Sequence, residues 1–257
     1  METLYFLVIM KQFKDHFSKQ ANQYAAYRPR YPIELYQSLA SLCEERKRAW
    51  DCATGNGQAA HGLVEFFDQV IATDGSENQI ANAAAHKNIR FEVSPAEKTH
   101  IKTRSINLVT VAQALHWFEL EAFYAEVNRV LKPGGILAVW SYNFLYSGSK
   151  IDGILHDFYH NKIGSYWPPE RSIVEAGYQG IYFPFKEIPM PRHEMQAQWD
   201  LSQLLGYLGT WSAVQRYKDQ TGENPLTVLA AELTKVWGAS EKKYSIKWPL
   251  SLKVGRV

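Results

Sequence analysis

Between Trp50 and Tyr142 short apolar runs alternate with longer amphipathic stretches, and that rhythm admits few folds. "RAWDCA" (Arg48–Ala53) enters a glycine turn, and "AAHGLVEFF" (Ala59–Phe67) follows with apolar residues at helical spacing. "QVIATD" (Gln69–Asp74) is another short apolar run, succeeded by the helix-like "ENQIANAAAH". "IRFEVS" (Ile89–Ser94) and "INLVTVAQA" (Ile106–Ala114) come next. "FYAEVNRVL" (Phe123–Leu131) reads as a helix that "KPGG" (Lys132–Gly135) stops before "ILAVWSY" (Ile136–Tyr142). Strands alternating with helices in this way make βαβ units, and therefore a parallel sheet covered on both faces. The glycines of "KPGG" suit a helix end because they tolerate the left-handed cap, and proline cannot continue the helix.

After Tyr142 the rhythm breaks. Residues 143–240 are rich in aromatics and prolines ("SYWPPER", "GIYFPF") and include helical stretches such as "LSQLLGYLGTWSAVQRY". The last run, "YSIKWPLSLKVGRV", returns to strand-like alternation. The expected organisation is a Rossmann-like core interrupted late by an insertion. Residues 1–35 form an N-terminal lid, and 36–143 form the core, completed by 185–199 and 243–257. Residues 144–184 and 200–242 form a cap over the substrate.

Bulk properties narrow the class of partner. A net charge of +2 on 257 residues gives no electrostatic case for nucleic acid or an anionic membrane. Cys43 and Cys52 are the two cysteines and do not form a CxxC spacing, so neither redox chemistry nor a metal is expected. The N-terminal "METLYFLVIM" lacks a basic flank and is too short for a leader or a membrane span, so a reducing, cytoplasmic setting is expected.

The turn "DCATGNGQAA" (Asp51–Ala60) admits three readings. Glycine can serve backbone geometry alone, with no ligand. Gly55-Asn56-Gly57-Gln58-Ala59-Ala60 also fits the G-x-G-x-x-A dinucleotide fingerprint, with Asp74 17 residues past Gly57, near the ~20 expected of a ribose-binding acid. The third ligand is S-adenosylmethionine, which has no phosphate. Its methionine end would approach the glycine backbone while Asp74 takes the ribose hydroxyls. Asp51 favours this third reading, because a dinucleotide site keeps an apolar run going into its first glycine. An acid at that position orients the loop or holds the cofactor's ammonium through water.

The pattern D-x-A-x-G-x-G resembles motif I of the class I S-adenosylmethionine-dependent methyltransferases, with Ala53 in place of the usual first glycine. "VIATDGSENQI" resembles their second motif, "SPAEKTH" the third, "INLVTVAQALHWF" the fourth strand with the residues beside the transferred methyl, and "VLKPGG" the turn before strand five. "HFSKQANQYAAYRPRYP" (His16–Pro32), "YWPPER", "YLGTWSAVQRY" and "WPLSLKVGR" resemble the trans-aconitate methyltransferase-like subgroup. The resemblance implies an α/β sheet that is mostly parallel with an antiparallel C-terminal strand, plus a helical cap insertion. It implies S-adenosylmethionine as cofactor, held by Tyr24, Arg28, Asp51, Ala53, Gly55, Asn56, Gly57, Gln58, Asp74, Gly75, Ser76, Gln79, Ala96, Glu97, Gln113 and Ala114. Pro95 stands where many members have an acid.

Methyl transfer from a sulfonium is an in-line displacement that chiefly needs alignment and exclusion of water, and no acid or base is obligatory. His116, at the carboxyl edge of the sheet in "QALHWF", is the candidate general base, or else a histidine that shapes the site. Tyr27, Trp117, Trp167, Arg171, Tyr207 and Trp211 are the candidate acceptor-binding residues. Arg192, His193 and Arg216 are further candidates for holding an acidic group, since arginine binds carboxylates through two parallel hydrogen bonds. The expected partner is a small molecule bearing a carboxylate oxygen, acted on by a monomer or weak homodimer. Methylation of another oxygen, nitrogen or carbon remains open, as does a nicotinamide-dependent oxidoreductase.

Overall fold

A computed structural model describes residues 28–239 and 241–257. Five parallel strands build the centre: β1 (Arg48–Cys52), β2 (Gln69–Asp74), β3 (Ile89–Val93), β4 (Ile106–Ala112) and β5 (Leu131–Tyr142). Two further strands, β6 (Lys186–Glu187) and β7 (Glu194–Trp199), precede β8 (Tyr244–Arg256), which runs antiparallel beside β5. The sheet order is β3-β2-β1-β4-β5-β8-β6, with β7 pairing β8 off that path. This is the Rossmann-like sheet with an antiparallel C-terminal strand. The chain winds outward from β1 to β3, then starts again at β4 on the other side, so a crevice opens at the carboxyl ends of β1 and β4.

Burial explains why these strands read as near-continuous apolar runs. After an exposed first residue, every residue of β1 and β2 is buried, as parallel strands covered on both faces must be. Trp50, Val109, Val111 and Val139 face one layer, with Phe123 and Val127 of the helix Leu120–Val130 packed on them. Ala49, Leu108, Ala138 and Trp140 face the opposite layer, against Leu35 and Leu39 of α1 (Ile33–Ser41) and Ala60 and Leu63 of α2 (Gln58–Leu63). The next helices are α3 (Glu77–Ala81) and α4 (Leu120–Val130). Strand β5 begins earlier than the sequence suggests. Helix α4 gives way directly to Leu131, which pairs with Ile106, and the "KPGG" residues form an irregularity in the strand. That irregularity is pinned by the chain end: Gly134 N–H donates to the Val257 carbonyl, and Val257 N–H to that of Gly135.

A third core lies outside the sheet. Helices α5 (Ile151–Asp157), α6 (Arg171–Glu175), α7 (Leu201–Gly209), α8 (Ser212–Thr221) and α9 (Leu226–Trp237) follow β5, and four of the five supply residues to a cluster with Trp199, Tyr207, Trp211, Trp237 and Trp248. Strand β8 belongs to both bodies. Residues 250–256 pair with β5, whereas 244–249 pair with β7 beneath the cap. No helix among the described residues is long and apolar enough to cross a membrane.

The last residue but one of β1 carries a charge into this interior. Asp51 is fully buried, its carboxylate accepting from the Thr54 hydroxyl and, at 2.8 Å, from the Thr110 hydroxyl of β4. Burial pushes its pKa up to about 6, against the pull of these hydroxyls and of the Ala60 amide, while Asp74 adds to the rise. The folded chain therefore binds the extra proton between the unfolded pKa near 4 and about 6, so stability falls as pH rises through that window, by about 2–3 kcal/mol. Asp51→Asn is expected to flatten that limb. Its unfolding free energy, measured by urea titration at several pH values, should gain on the native chain between pH 4 and 6.5.

Candidate active site

The loop after β1 is built on left-handed backbone. Ala53 (φ 53°), Gly55 (φ 58°) and Gly57 (φ 92°) all lie there, and only the two glycines do so without steric cost. Thr54 N–H donates to the Thr73 carbonyl at 2.9 Å, and Gly57 N–H to the Thr54 carbonyl at 3.0 Å, which closes the turn before α2. At the end of β2 the Asp74 carboxylate accepts from Gly55 N–H at 2.8 Å and Ser76 N–H at 2.9 Å. Ser76 in turn caps α3 by accepting from Gln79 N–H. One acid thus orients the turns after both β1 and β2 at the crevice. The missing side chain of Gly57 makes room for protein: a Cβ there would lie 2.8 Å from the Phe91 ring.

The structure distributes the expected cofactor residues unevenly. Asp51, Ala53, Gly55, Asn56, Asp74, Gly75, Ser76 and Gln79 sit together on the β1 and β2 turns. Ala96 and Glu97 follow β3, where Glu97 accepts from Glu119 N–H at 3.1 Å. Asp51 is enclosed completely and acts through the loop that it holds. Gln58 donates its amide to the Pro29 carbonyl, and Tyr31 packs edge-on against Trp140 with ring centroids 5.4 Å apart. The described end of the N-terminal segment is thereby fastened to the core. Tyr24 and Tyr27 lie outside the described residues.

A separate cavity lies between the carboxyl ends of β4 and β5 and the cap. His116, Trp117, Trp167, Arg171, Tyr207 and Trp211 all line it, as do Arg28, Gln113 and Ser212. Arg28 and Gln113, expected at the cofactor, thus line this cavity, whereas Ala114 is buried and is not among its walls. Arg192, His193 and Arg216 are not among its walls. Gln113 holds a left-handed φ of 59°, secured by its own N–H on the Trp140 carbonyl and its side-chain amide on the Tyr142 carbonyl. Such strain in a non-glycine residue collects at functional sites.

Two guanidinium groups reach this cavity. Arg28 donates to the Tyr142 hydroxyl and lies over the Tyr207 ring, 5.4 Å from its centroid. Arg171 donates from Nε to the Tyr159 hydroxyl at 2.6 Å, pairs with Glu175 at 3.6 Å, and stacks 4.8 Å from the centre of Trp167. These contacts engage Nε and the flat face of the guanidinium. Tyr142, Tyr159 and Glu175 escaped the sequence reading, since nothing in a lone tyrosine or glutamate marks it as the brace of a distant arginine. His116 is half-buried, with Nδ1 3.1 Å from the Tyr178 hydroxyl. Burial, and then the Arg171 charge, bring its pKa down to about 4, with Glu170 opposing. The ring is therefore neutral at physiological pH.

This geometry has relatives. The methyltransferase domain family matches residues 50–139. A Dictyostelium discoideum protein provisionally named a methyltransferase is 32% identical over 234 residues, which is 90% of this chain and 89% of its own length. A Saccharomyces cerevisiae protein named a probable S-adenosylmethionine-dependent methyltransferase is 30% identical over 132 residues, covering 48% of this chain and 45% of its own. Among solved structures, one from Anaeromyxobacter dehalogenans, provisionally described as a type II methyltransferase, superposes with a TM-score of 0.86. It is 40% identical, over 90% of this chain and 98% of that one.

The loop geometry predicts opposite signs for two small substitutions. Ala53→Gly relieves a left-handed alanine and is expected to stabilise the fold by about 1 kcal/mol, net of the entropy glycine adds to the unfolded chain. Gly57→Ala drives a methyl group into Phe91 and should cost about 1–3 kcal/mol. Urea denaturation of the two variants beside the native chain checks both.

Proposed function

This chain belongs to the class I S-adenosylmethionine-dependent methyltransferases, and from that premise we propose that it methylates a carboxylate oxygen of a small organic acid. The trans-aconitate methyltransferase-like subgroup, which its terminal segments resemble, is the branch this reading assigns. Membership in the methyltransferases removes the nicotinamide-dependent oxidoreductase as a rival. The observation that carries the reading is the cavity wall: Arg28 and Arg171 line it beside a histidine that burial keeps uncharged. Two cations in a confined space of about 110 Å³ suit a small anion.

The β1 and β2 turns fit the cofactor. A Cβ on Gly55 would meet nothing nearer than Gln79 Oε1 at 3.8 Å, so the loop leaves open space on that side. Asp74 would take the ribose hydroxyls there, the Ala96 backbone and Glu97 the adenine, and Gln113 with Ala114 the sulfonium end. Bound S-adenosylmethionine supplies a methyl group already activated by positive sulfur. What remains for the protein is to hold the acceptor in line and keep water out. Arg171 would clamp a carboxylate from its Nη edge, Arg28 would add charge, and Trp117, Trp167 and Trp211 would wall the site with apolar surface. A carboxylate is ionised at neutral pH and needs no base, which matches a histidine whose conjugate acid is strong.

Turnover of small di- and tricarboxylic acids with S-adenosylmethionine, read by mass spectrometry of the methyl ester in single-turnover mode, tests the reading. The rate should be flat from about pH 6 to 9 because carboxylates titrate near 4. Arg171→Ala should raise KM at least tenfold. A rate that climbs with pH, or methylation confined to uncharged alcohols, would overturn it. In a second measurement, Asp74→Ala should weaken calorimetric binding of S-adenosylhomocysteine at least tenfold, since hydrogen bonds to a charged group are worth ~1.5–3 kcal/mol each.

A further inference from the structure

Tyr178 lies in the cap insertion by sequence, yet its side chain is in the sheet's core. It is 1% exposed and packs in the cluster that contains Val109, Val111 and Leu115. The chain brings it there through two consecutive left-handed residues, Gly177 (φ 60°) and Tyr178 itself (φ 61°). Tyr178 N–H caps the preceding helix on the Ile173 carbonyl at 3.1 Å, and a Cβ on Gly177 would sit 2.5 Å from Ser251 Oγ of β8. A bulky residue in this backbone region is strained, and it persists only where its surroundings hold it. What the strain secures is the placement of one hydroxyl.

That hydroxyl has His116 Nδ1 3.1 Å away, its one hydrogen-bond partner among the described residues. Tyr178 is almost fully buried, so its phenol proton requires an acceptor, and Nδ1 supplies one. The opposite tautomer, with the proton on Nδ1, would make the phenol oxygen the acceptor and strand the phenol proton in the core. Tyr178 is not a wall of the cavity whereas His116 is, so the imidazole edge bearing Nε2 turns toward the acceptor space.

We propose that Tyr178 is a positioning residue that locks His116 in the Nε2–H tautomer, so that the histidine meets the acceptor as a hydrogen-bond donor rather than a base. The lowered basicity of the ring agrees with this: burial and Arg171 depress it, and Glu170 is the charged group that opposes them. The use of the donor rests on the carboxylate reading above. Nε2–H would hold one oxygen of the carboxylate and leave the other to face the methyl group. The tautomer is a property of the chain alone, so its test stands whether or not any acid proves to be a substrate.

Long-range proton–nitrogen correlation spectra of the uniformly labelled full chain at pH 7 read the tautomer, with the His116 signals identified by their loss in His116→Gln. The expected native pattern is a single Nε2–H form that does not titrate between pH 6 and 8. In Tyr178→Phe the single-tautomer pattern should be lost and an Nδ1–H form should emerge, with circular dichroism unchanged. A folded Tyr178→Phe that keeps the pure Nε2–H pattern overturns the proposal. If that variant does not fold, the native spectrum decides. A hydroxyl proton correlated with His116 Nδ1 across the hydrogen bond supports the assignment, and a proton bonded directly to Nδ1 overturns it. Failure to find a methylated acid would count against the carboxylate reading and leave the tautomer result standing.

Discussion

The fold turns on a carboxylate at the point where the strand order reverses. Strands β1 and β4 are neighbours in the sheet but distant in the chain, and the crevice between their ends is where ligands bind in such folds. Asp51 spans this point, taking one hydroxyl from the loop after β1 and one from β4. An ion with no access to water is costly to bury unless hydrogen bonds hold it. The position of Thr54, and through it the path of the glycine loop, is therefore tied to the sheet. Asp74 repeats the device one strand over, with backbone amides as donors. Two acids thus fix the floor of the site before any ligand arrives.

How much of this was legible depends on how local each signal is. Strands β1, β2, β4 and most of β5 were readable because they bury both faces and so appear as short apolar runs between turn residues, whereas β3, at the sheet edge, buries only Ile89. The glycine loop was readable for the same reason, since Gly55 and Gly57 mark backbone that few other residues adopt. Ala53 was recognisable only as a departure from a pattern; its left-handed φ shows what the departure costs. The start of β5 was misjudged because "KPGG" is a strong breaker signal, yet contacts with Val257, over a hundred residues away, hold those residues in the strand.

The cavity under the cap was harder to read, because its walls come from segments that only folding brings together. Aromatic residues in the cap serve two ends at once: Tyr207 and Trp211 are buried in the cap core and also line the cavity. Nothing in the sequence separates Arg171 from Arg192 or Arg216. The distinction lies in Tyr159 and Glu175, which hold Arg171 in place, and in Trp167, on which it stacks. Gln58 illustrates the converse. It stands within the glycine motif of the sequence, but its amide is spent on the Pro29 carbonyl, where it tethers the incoming chain.

The thirteen-residue strand β8 carries a consequence for how such a protein can change. Its amino half puts Ile246 and Trp248 into the cap core, and its carboxyl half puts Val254 into the core beneath the sheet. Because side chains alternate along a strand, slipping its register by one residue would turn all three outward together. Cap and sheet thus share a single keel, and neither can be re-angled without unseating the other. A change in the cavity's lining is thereby confined to the helices that ride on the keel, where a side chain can be exchanged while the alignment of the two bodies stays fixed.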